Sequence, residues 1–460
     1  MKPEISALPG LPVVERLANG LTVCLLTNRQ APVVTTALWY RAGSRDEPAG
    51  QGGVAHFLEH LMFKGSRRYG AGEIDRLTQA LGGANNAFTS HDATAYHFNF
   101  ARDRWHEALA IEADRMAGLT LDPEQVASER QVILEEIAMY ESEPWDALAM
   151  AVEAATFPGH PYGRPVLGSR GDLAATGPAE LAAFHRRLYR PDNAVLVVAG
   201  DVGEEAFEAV EEAFAGLAPD PAEAVPRPAV PAAAPLAGLQ RLERRKGEVA
   251  RALLALRGPA ADHPDRPVLH LVATLLGGGR TSRLYRKFVD EEQLCSWVSA
   301  DLGETVDEGS LTVSMELVPG VEPARVEERL LAELAELAGG GDGGGNGAAA
   351  GAAALPEEEL ERARRVFYAD WVFAHERVHQ QALAAGYSLA LFDLGYLERE
   401  LRGALAAGRE RVLEAAARYL QVDRGAVLGW SLPRDGSVGS PPHTRPTAPP
   451  GQAGAPGPPR

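Results

Sequence analysis

Between Gly52 and Ser66 the chain reads GGVAHFLEHLMFKGS, and its apolar positions Val54, Phe57, Leu58, Leu61 and Met62 recur at intervals of three and four. That period predicts an α-helix with a buried face. Alternating segments before it, NGLTVCLLTN and APVVTTALWYRAGSRDE, predict strands, as does NNAFTSHDATAYHFNF after it. Helical periodicity returns from Glu73 to Ala80 and from Arg102 to Gly118, and Asp122-Pro123 opens a long helix through ERQVILEEIAMYES. The strand NAVLVVAGDV and the helix EEAFEAVEEAFAGL close the first half.

From Ala218 to Gly238 the pattern stops in favour of Ala and Pro, which predicts a linker. The order then repeats: strand, helix (DRPVLHLVATLLGG), helix, strand (SLTVSMELVPG), helices, and a last strand GAVLGWSL. The expected architecture is α+β, with two duplicated α/β-sandwich domains, each a mostly antiparallel sheet with helices packed on it. Residues 1–217 and 239–433 form the two units, with 338–355 a flexible Gly/Ala insertion and 434–460 a disordered tail.

Composition narrows the function. The 460 residues carry a formal net charge of -18, which argues against a phosphate backbone as the main partner and suits basic peptides or simple solubility. Cys24 and Cys295 stand in apolar segments and read as buried, reduced thiols. With no signal-like or membrane-length apolar run, the chain reads as soluble and cytoplasmic.

The chemistry sits on the first helix. His56 and His60, four apart, project from one face with Glu59 beside them. Two neutral imidazoles at that spacing can hold one divalent ion, and zinc suits them, given a third protein ligand and an open position. On a helix otherwise apolar these polar groups are costly to bury unless they share a partner. The third ligand belongs on a second element packed against the helix. Glu129 and Glu136, seven apart on the long helix with Val132 and Ile133 between them, are the candidates, against the competing reading of glutamates bordering a solvated face. His91, His97, His160 and His185 lack a second ligand type at useful spacing and read as surface or satisfied core residues.

HFLEH, followed 76 residues after His60 by Glu136 and with Glu129 seven residues earlier, resembles the inverted zincins of the pitrilysin (M16) family, in particular the bacterial and mitochondrial processing-peptidase branch. NNAFTSHDATAYHF, HPYGRPVLG, LYRPDNAVLVVAGDV and GGGRTSRLY follow that family's motifs in order, over about residues 12 to 435. The resemblance implies a zinc endopeptidase acting on peptides or unstructured segments in an enclosed chamber, with one Zn2+ per chain. It places His56, His60 and Glu136 as ligands and Glu129 as a supporting carboxylate. Glu59 becomes the general base, while zinc brings a water's pKa to about 7 and polarises the carbonyl. Asn86, Ala87, Phe88 and Thr89 match the strand that adds the extended substrate to its edge through main-chain bonds; an ordinary internal strand is the alternative.

The second half departs from the family. LHLVATLLGG has only His270, so no second metal is expected. Active members usually supply an arginine and, seven residues later, a tyrosine from this half; those positions fall on Val289 and Ser296. The resemblance therefore implies a heterodimer whose other subunit lacks HxxEH and carries the Arg/Tyr pair, unless Arg280, Arg283 or Tyr285 substitutes. A non-catalytic scaffold and a metal-binding protein without hydrolysis are the alternatives; an intact HxxEH with both downstream glutamates argues against the scaffold, and Glu59 separates these readings, since a pure binding site needs no base.

Overall fold

The computed structural model describes residues 12–217, 230–339 and 355–434. Most of the linker, most of the Gly/Ala insertion and nearly all of the tail predicted above lie outside the described residues. The first sheet contains β1 (Val13–Arg16), β2 (Thr22–Thr27), β3 (Val33–Tyr40), β4 (Ala84–Thr89), β5 (Thr94–Ala101) and β6 (Ala194–Gly200), in the order β1-β2-β6-β3-β5-β4. Only β2 and β6 run parallel. The second sheet contains β7 (Leu239–Arg245), β8 (Arg251–Arg257), β9 (Cys295–Leu302), β10 (Ser310–Leu317) and β11 (Ala426–Leu432), in the order β7-β11-β8-β10-β9, with β7 and β11 parallel.

With β1 set aside, both sheets have the same order: first strand, last, second, fourth, third. The duplication read from the sequence is thus a duplication of topology. Three local readings change. The stretch NNAFTSHDATAYHFNF is two strands around a turn closed by Ser90 N–H to the Ala93 carbonyl, 2.8 Å. The helix expected from Arg102 starts at His106, and the second half has two strands, not one, before its first helix and another, β9, before β10. The β9 residues CSWVSADL do not alternate strictly between buried and exposed, so the period of two is weak there.

The helices of the first half are α1 (Val54–Leu61), α2 (Glu73–Ala80), α3 (His106–Ala117), α4 (Pro123–Ser142), α5 (Pro144–Thr156), α6 (Arg170–Ala175), α7 (Pro178–Leu188) and α8 (Glu205–Phe214). In the second half they are α9 (Arg266–Gly277), α10 (Arg283–Tyr285) with a π-helical continuation (Arg286–Glu291), α11 (Pro323–Leu337), α12 (Glu357–Ala374), α13 (Val378–Leu391), α14 (Tyr396–Ala406) and α15 (Arg409–Tyr419). Leu25, Leu38, Tyr96 and Phe98 from the first sheet pack with Phe57, Leu58 and Ile133 from α1 and α4. Burial of such side chains contributes about 1.5–3 kcal/mol each.

The halves exchange helices. α13 of the second half lies across β3 and β6 of the first sheet, and α5 of the first half lies across β8 and β11 of the second. Each crossing has a glycine at its closest point. A Cβ on Gly386 of α13 would stand 2.1 Å from Trp39 Nε1, and one on Gly429 of β11 would stand 2.4 Å from Val152 Cγ2 of α5. Arg41 reinforces the first crossing by donating to the terminal α13 carbonyls of Leu389 and Ala390 at 3.3 and 2.5 Å. A buried polar cluster adds a second tie: Asp92 accepts from Arg45 (2.9 Å), Tyr162 OH (2.8 Å) and Val306 N–H (3.0 Å). Burial pushes the free thiols of Cys24 and Cys295 up to about 12, as their apolar surroundings predict. Among the described residues no helix is long and apolar enough to cross a membrane.

Candidate metal centre

The first turn of α1 is fixed before any site residue is reached. Glu47 accepts hydrogen bonds from Gly53 N–H (3.0 Å) and Ala55 N–H (3.1 Å), satisfying two of the helix's orphan donors. Gly53 has φ 90°, and a Cβ there would lie 2.4 Å from the Leu167 carbonyl oxygen. Glycine alone permits this approach and conformation together. The helix then buries Val54, Phe57, Leu58 and Leu61 and leaves His56 and His60 partly open on one side.

α4 supplies the opposing wall. Asp122 caps it by accepting from Glu124 and Gln125 N–H at 2.9 and 3.1 Å, and Pro123 occupies the first helical position. Its buried stripe is Val126, Glu129, Ile133 and Ile137; Val132, grouped above with Ile133, is exposed instead. Glu136 stands at the stripe's border. Its Oε2 lies 3.8 Å from His56 Nε2 and 3.7 Å from His60 Nε2, and the three ligand atoms all lie within 4.8 Å of one another. Donor atoms around a tetrahedral zinc stand roughly 3.4 Å apart, so the set fits that ion with a small contraction. Among the described residues this is the one such group of His, Cys, Asp or Glu.

The electrostatics suit a cation. Burial, then the neighbouring His60, pushes His56 down to about 3, which keeps its imidazole neutral and able to donate a lone pair. Burial alone would lower His60, but its hydrogen bond to Glu129 and the surrounding carboxylates carry it above its ordinary value. His60 Nδ1–H donates to Glu129 Oε1 at 2.9 Å, leaving Nε2 toward His56 and Glu136. Lys64 Nζ lies 2.8 Å from Glu129 Oε2. Burial would raise Glu129, but the bonds from His60 and Lys64 hold it below the usual carboxylate range. Burial raises Glu136, with His60 opposing, so it gains from a nearby positive ion.

Glu59 is buried beside the two histidines. Burial raises its pKa, opposed first by the Thr89 hydroxyl, which donates to Glu59 Oε2 at 2.6 Å. Thr89 ends β4, and among the described residues β4 pairs only with β5, so its far side is a sheet edge. A cleft of about 300 Å³ lies along this region, lined by Glu59, His60, Phe63, Lys64, Asn86 and Ala87. Ala87 packs toward the α1 layer. Phe88 turns to the other face, its ring edge-on to Trp39 at 5.3 Å. Of the four strand residues singled out above, Asn86 and Ala87 therefore line the cleft, whereas the Thr89 and Phe88 side chains serve the protein's interior.

Spacing alone does not disclose Lys64, Glu47 or the Thr89 hydroxyl as parts of this site. Lys64 lies in the turn just past the end of α1. The other two act across elements. In the second half, Val289 packs into the core and the Ser296 hydroxyl donates to the Glu316 carbonyl at 3.2 Å. Arg283 holds Glu359 with bonds of 2.9 and 2.7 Å, and Arg280 lies over the Tyr285 ring at 5.8 Å. The four other histidines weighed above are placed as follows: His91 lies between Ser44 (2.8 Å) and Glu153 (3.1 Å), and His160 Nδ1 accepts from Tyr162 N–H at 3.1 Å. His185 Nε2 donates to the Arg115 carbonyl at 3.1 Å, while His97 is buried with no hydrogen-bond partner for Nδ1 among the described residues and so is not the satisfied histidine expected.

Comparison with known proteins adds a consistent set of relatives. A family model described as insulinase (peptidase family M16) matches residues 22–170, and one for the peptidase M16 inactive domain matches residues 177–367. An uncharacterized zinc protease of Mycobacterium leprae is 35% identical over 71% of this chain and 73% of its own length. Zinc protease PqqE of Helicobacter pylori is 29% identical over 70% of this chain and 74% of its own. Among solved structures, a protease from Helicobacter pylori superimposes with a TM-score of 0.84 at 24% identity, covering 92% of this chain and 100% of that one. A peptidase M16 inactive domain from Pseudomonas fluorescens gives 0.79 at 21% identity, covering 92% and 98%.

Proposed function

The chain belongs to peptidase family M16, and on that premise we propose that it is a zinc-dependent endopeptidase hydrolysing peptides or unstructured protein segments. The observation that carries this reading is the convergence of His56 Nε2, His60 Nε2 and Glu136 Oε2 with Glu59 alongside. Zinc held by those three side chains would polarise the scissile carbonyl and acidify an attacking water. Glu59 takes the proton from that water and passes it to the leaving amine. Glu129 orients His60, and Lys64 keeps Glu129 charged. An extended substrate pairs with the open edge of β4 at Asn86 and Ala87, through main-chain bonds that tolerate many sequences.

The same reading includes a partner subunit around an enclosed chamber. Val289 carries no donor, the Ser296 hydroxyl is spent on the Glu316 carbonyl, and Arg283 is committed to Glu359. Without such donors a site commonly loses on the order of a hundredfold or more in rate. A homologous chain lacking HxxEH and carrying the Arg/Tyr pair would supply them. The missing pair also favours a second reading, a metal-binding or scaffold subunit without turnover. Two free, buried cysteines are in keeping with a cytoplasmic setting. The deciding experiment is zinc analysis and cleavage of an unstructured peptide by the purified chain, alone and mixed with such a partner. Turnover that appears on mixing and disappears with Glu59→Gln supports the peptidase; full zinc with no turnover under either condition supports the scaffold.

A further inference from the structure

Glu59 has two carboxylate oxygens, and Thr89 holds one of them. The Thr89 hydroxyl lies 2.6 Å from Glu59 Oε2, and because an ionised carboxylate only accepts, the hydrogen comes from Thr89. Thr94, its partner across the β4–β5 pair, does not compete: the two hydroxyl oxygens stand 3.4 Å apart, and Thr94 donates to the Ala42 carbonyl at 2.8 Å. Glu59 is 9% exposed and Thr89 6%, so little water reaches the bond to replace it. The two residues belong to different elements, Glu59 to α1 and Thr89 to the last position of the edge strand β4.

We propose that Thr89 is a positioning residue: its hydroxyl fixes the Glu59 carboxylate through Oε2, leaving Oε1 for the proton in transit, and ties the strand that receives substrate to the base that acts on it. This rests on the reading of Glu59 as general base. Movement of β4 as a peptide adds to its edge is then felt at the carboxylate through one short hydrogen bond. A threonine needed only for strand packing would work as well without its hydroxyl.

The test compares Thr89→Ser with Thr89→Ala, which differ by the hydroxyl alone, in the assembly in which the wild-type chain is active, with Glu59→Gln as control. Both variants lose the same methyl group, so their difference reads the hydroxyl whatever that loss does to the strand. The alanine variant should keep wild-type zinc content and a KM within about threefold, while kcat falls on the order of tenfold to a hundredfold. Serine should restore most of kcat. A crystal structure of the alanine variant should show the Glu59 carboxylate away from its wild-type position. Equal kcat for the serine and alanine variants, or a loss confined to KM, overturns the proposal while leaving Glu59 as base. Wild-type activity in Glu59→Gln overturns the base assignment and this proposal with it.

Discussion

The face between α1 and α4 and its counterpart between α9 and α12 are built on the same strand order and carry opposite contents. In the first, α1 presents His56, Glu59 and His60, and α4 presents Glu129 and Glu136. In the second, α9 has His270, whose ring meets Phe367 of α12 edge-on at 4.9 Å and whose Nδ1 stands 3.8 Å from Glu400. Nearby Arg266 donates to Tyr396 OH at 3.1 Å and to the Gly303 carbonyl at 2.9 Å. One face turns its lone pairs toward a single point; the other pairs Arg266 with Tyr396 and packs His270 against Phe367, with His270 Nδ1 left without a hydrogen-bond partner among the described residues. The shared scaffold asks only for apolar periodicity, and a handful of side chains on two helices decides whether a half can bind an ion.

The largest effect expected from this contrast is complete. His60→Ala should abolish zinc binding and all turnover, whereas His270→Ala should leave zinc content unchanged by metal analysis. Zinc lost equally from both variants would break the comparison. Next comes Glu59→Gln, which keeps the ligands and should retain zinc while cutting the peptide-cleavage rate by about 10²- to 10⁴-fold. Glu129→Gln should weaken zinc affinity by roughly tenfold to a hundredfold in competition with a chelator, with Lys64→Met following in the same direction but less far.

The smallest effect is a pH dependence, which the two halves share because burial also lowers His375 and His379 of the second. Burial holds His97 and His185, both in the first half, down at about 4. The unfolded chain takes up those protons near its ordinary 6.5, so stability is full above that value and falls as pH drops toward 4. The loss should be roughly 1 kcal/mol per histidine by pH 6, measured by denaturant titration. His185→Gln should flatten that slope, and an unchanged slope would show that burial does not hold the residue neutral.

Much of this was legible in the residues, and what was not has a physical pattern. Local signals worked: the apolar period of α1, the Asp122-Pro123 start of α4, and the spacing that sets Glu129 and Glu136 on one side of a helix. The three candidate ligands meet where a helix period and one packed neighbour would bring them. Contacts between distant segments stayed hidden. The Glu47 carboxylate reaches the start of α1 across a loop, the Thr89 hydroxyl reaches Glu59 from a strand, and neither distance is encoded by a period. Strand β9 escaped because its buried positions do not alternate. The exchange of α5 and α13 escaped because an amphipathic helix announces that it will be covered, not by which half of the chain.

That exchange sets an order on how the protein can be made. When the first 217 residues have left the ribosome, the first sheet is complete, yet the face holding Ala37, Trp39 and Val197 still lacks α13, whose last residue is Leu391. A nascent chain therefore carries an apolar surface through most of the synthesis of its second half, an opening for chaperones and for aggregation. Either half expressed alone would bare a sheet face, the first for want of α13 and the second for want of α5, and co-production of the two separate pieces should recover soluble protein that neither gives by itself.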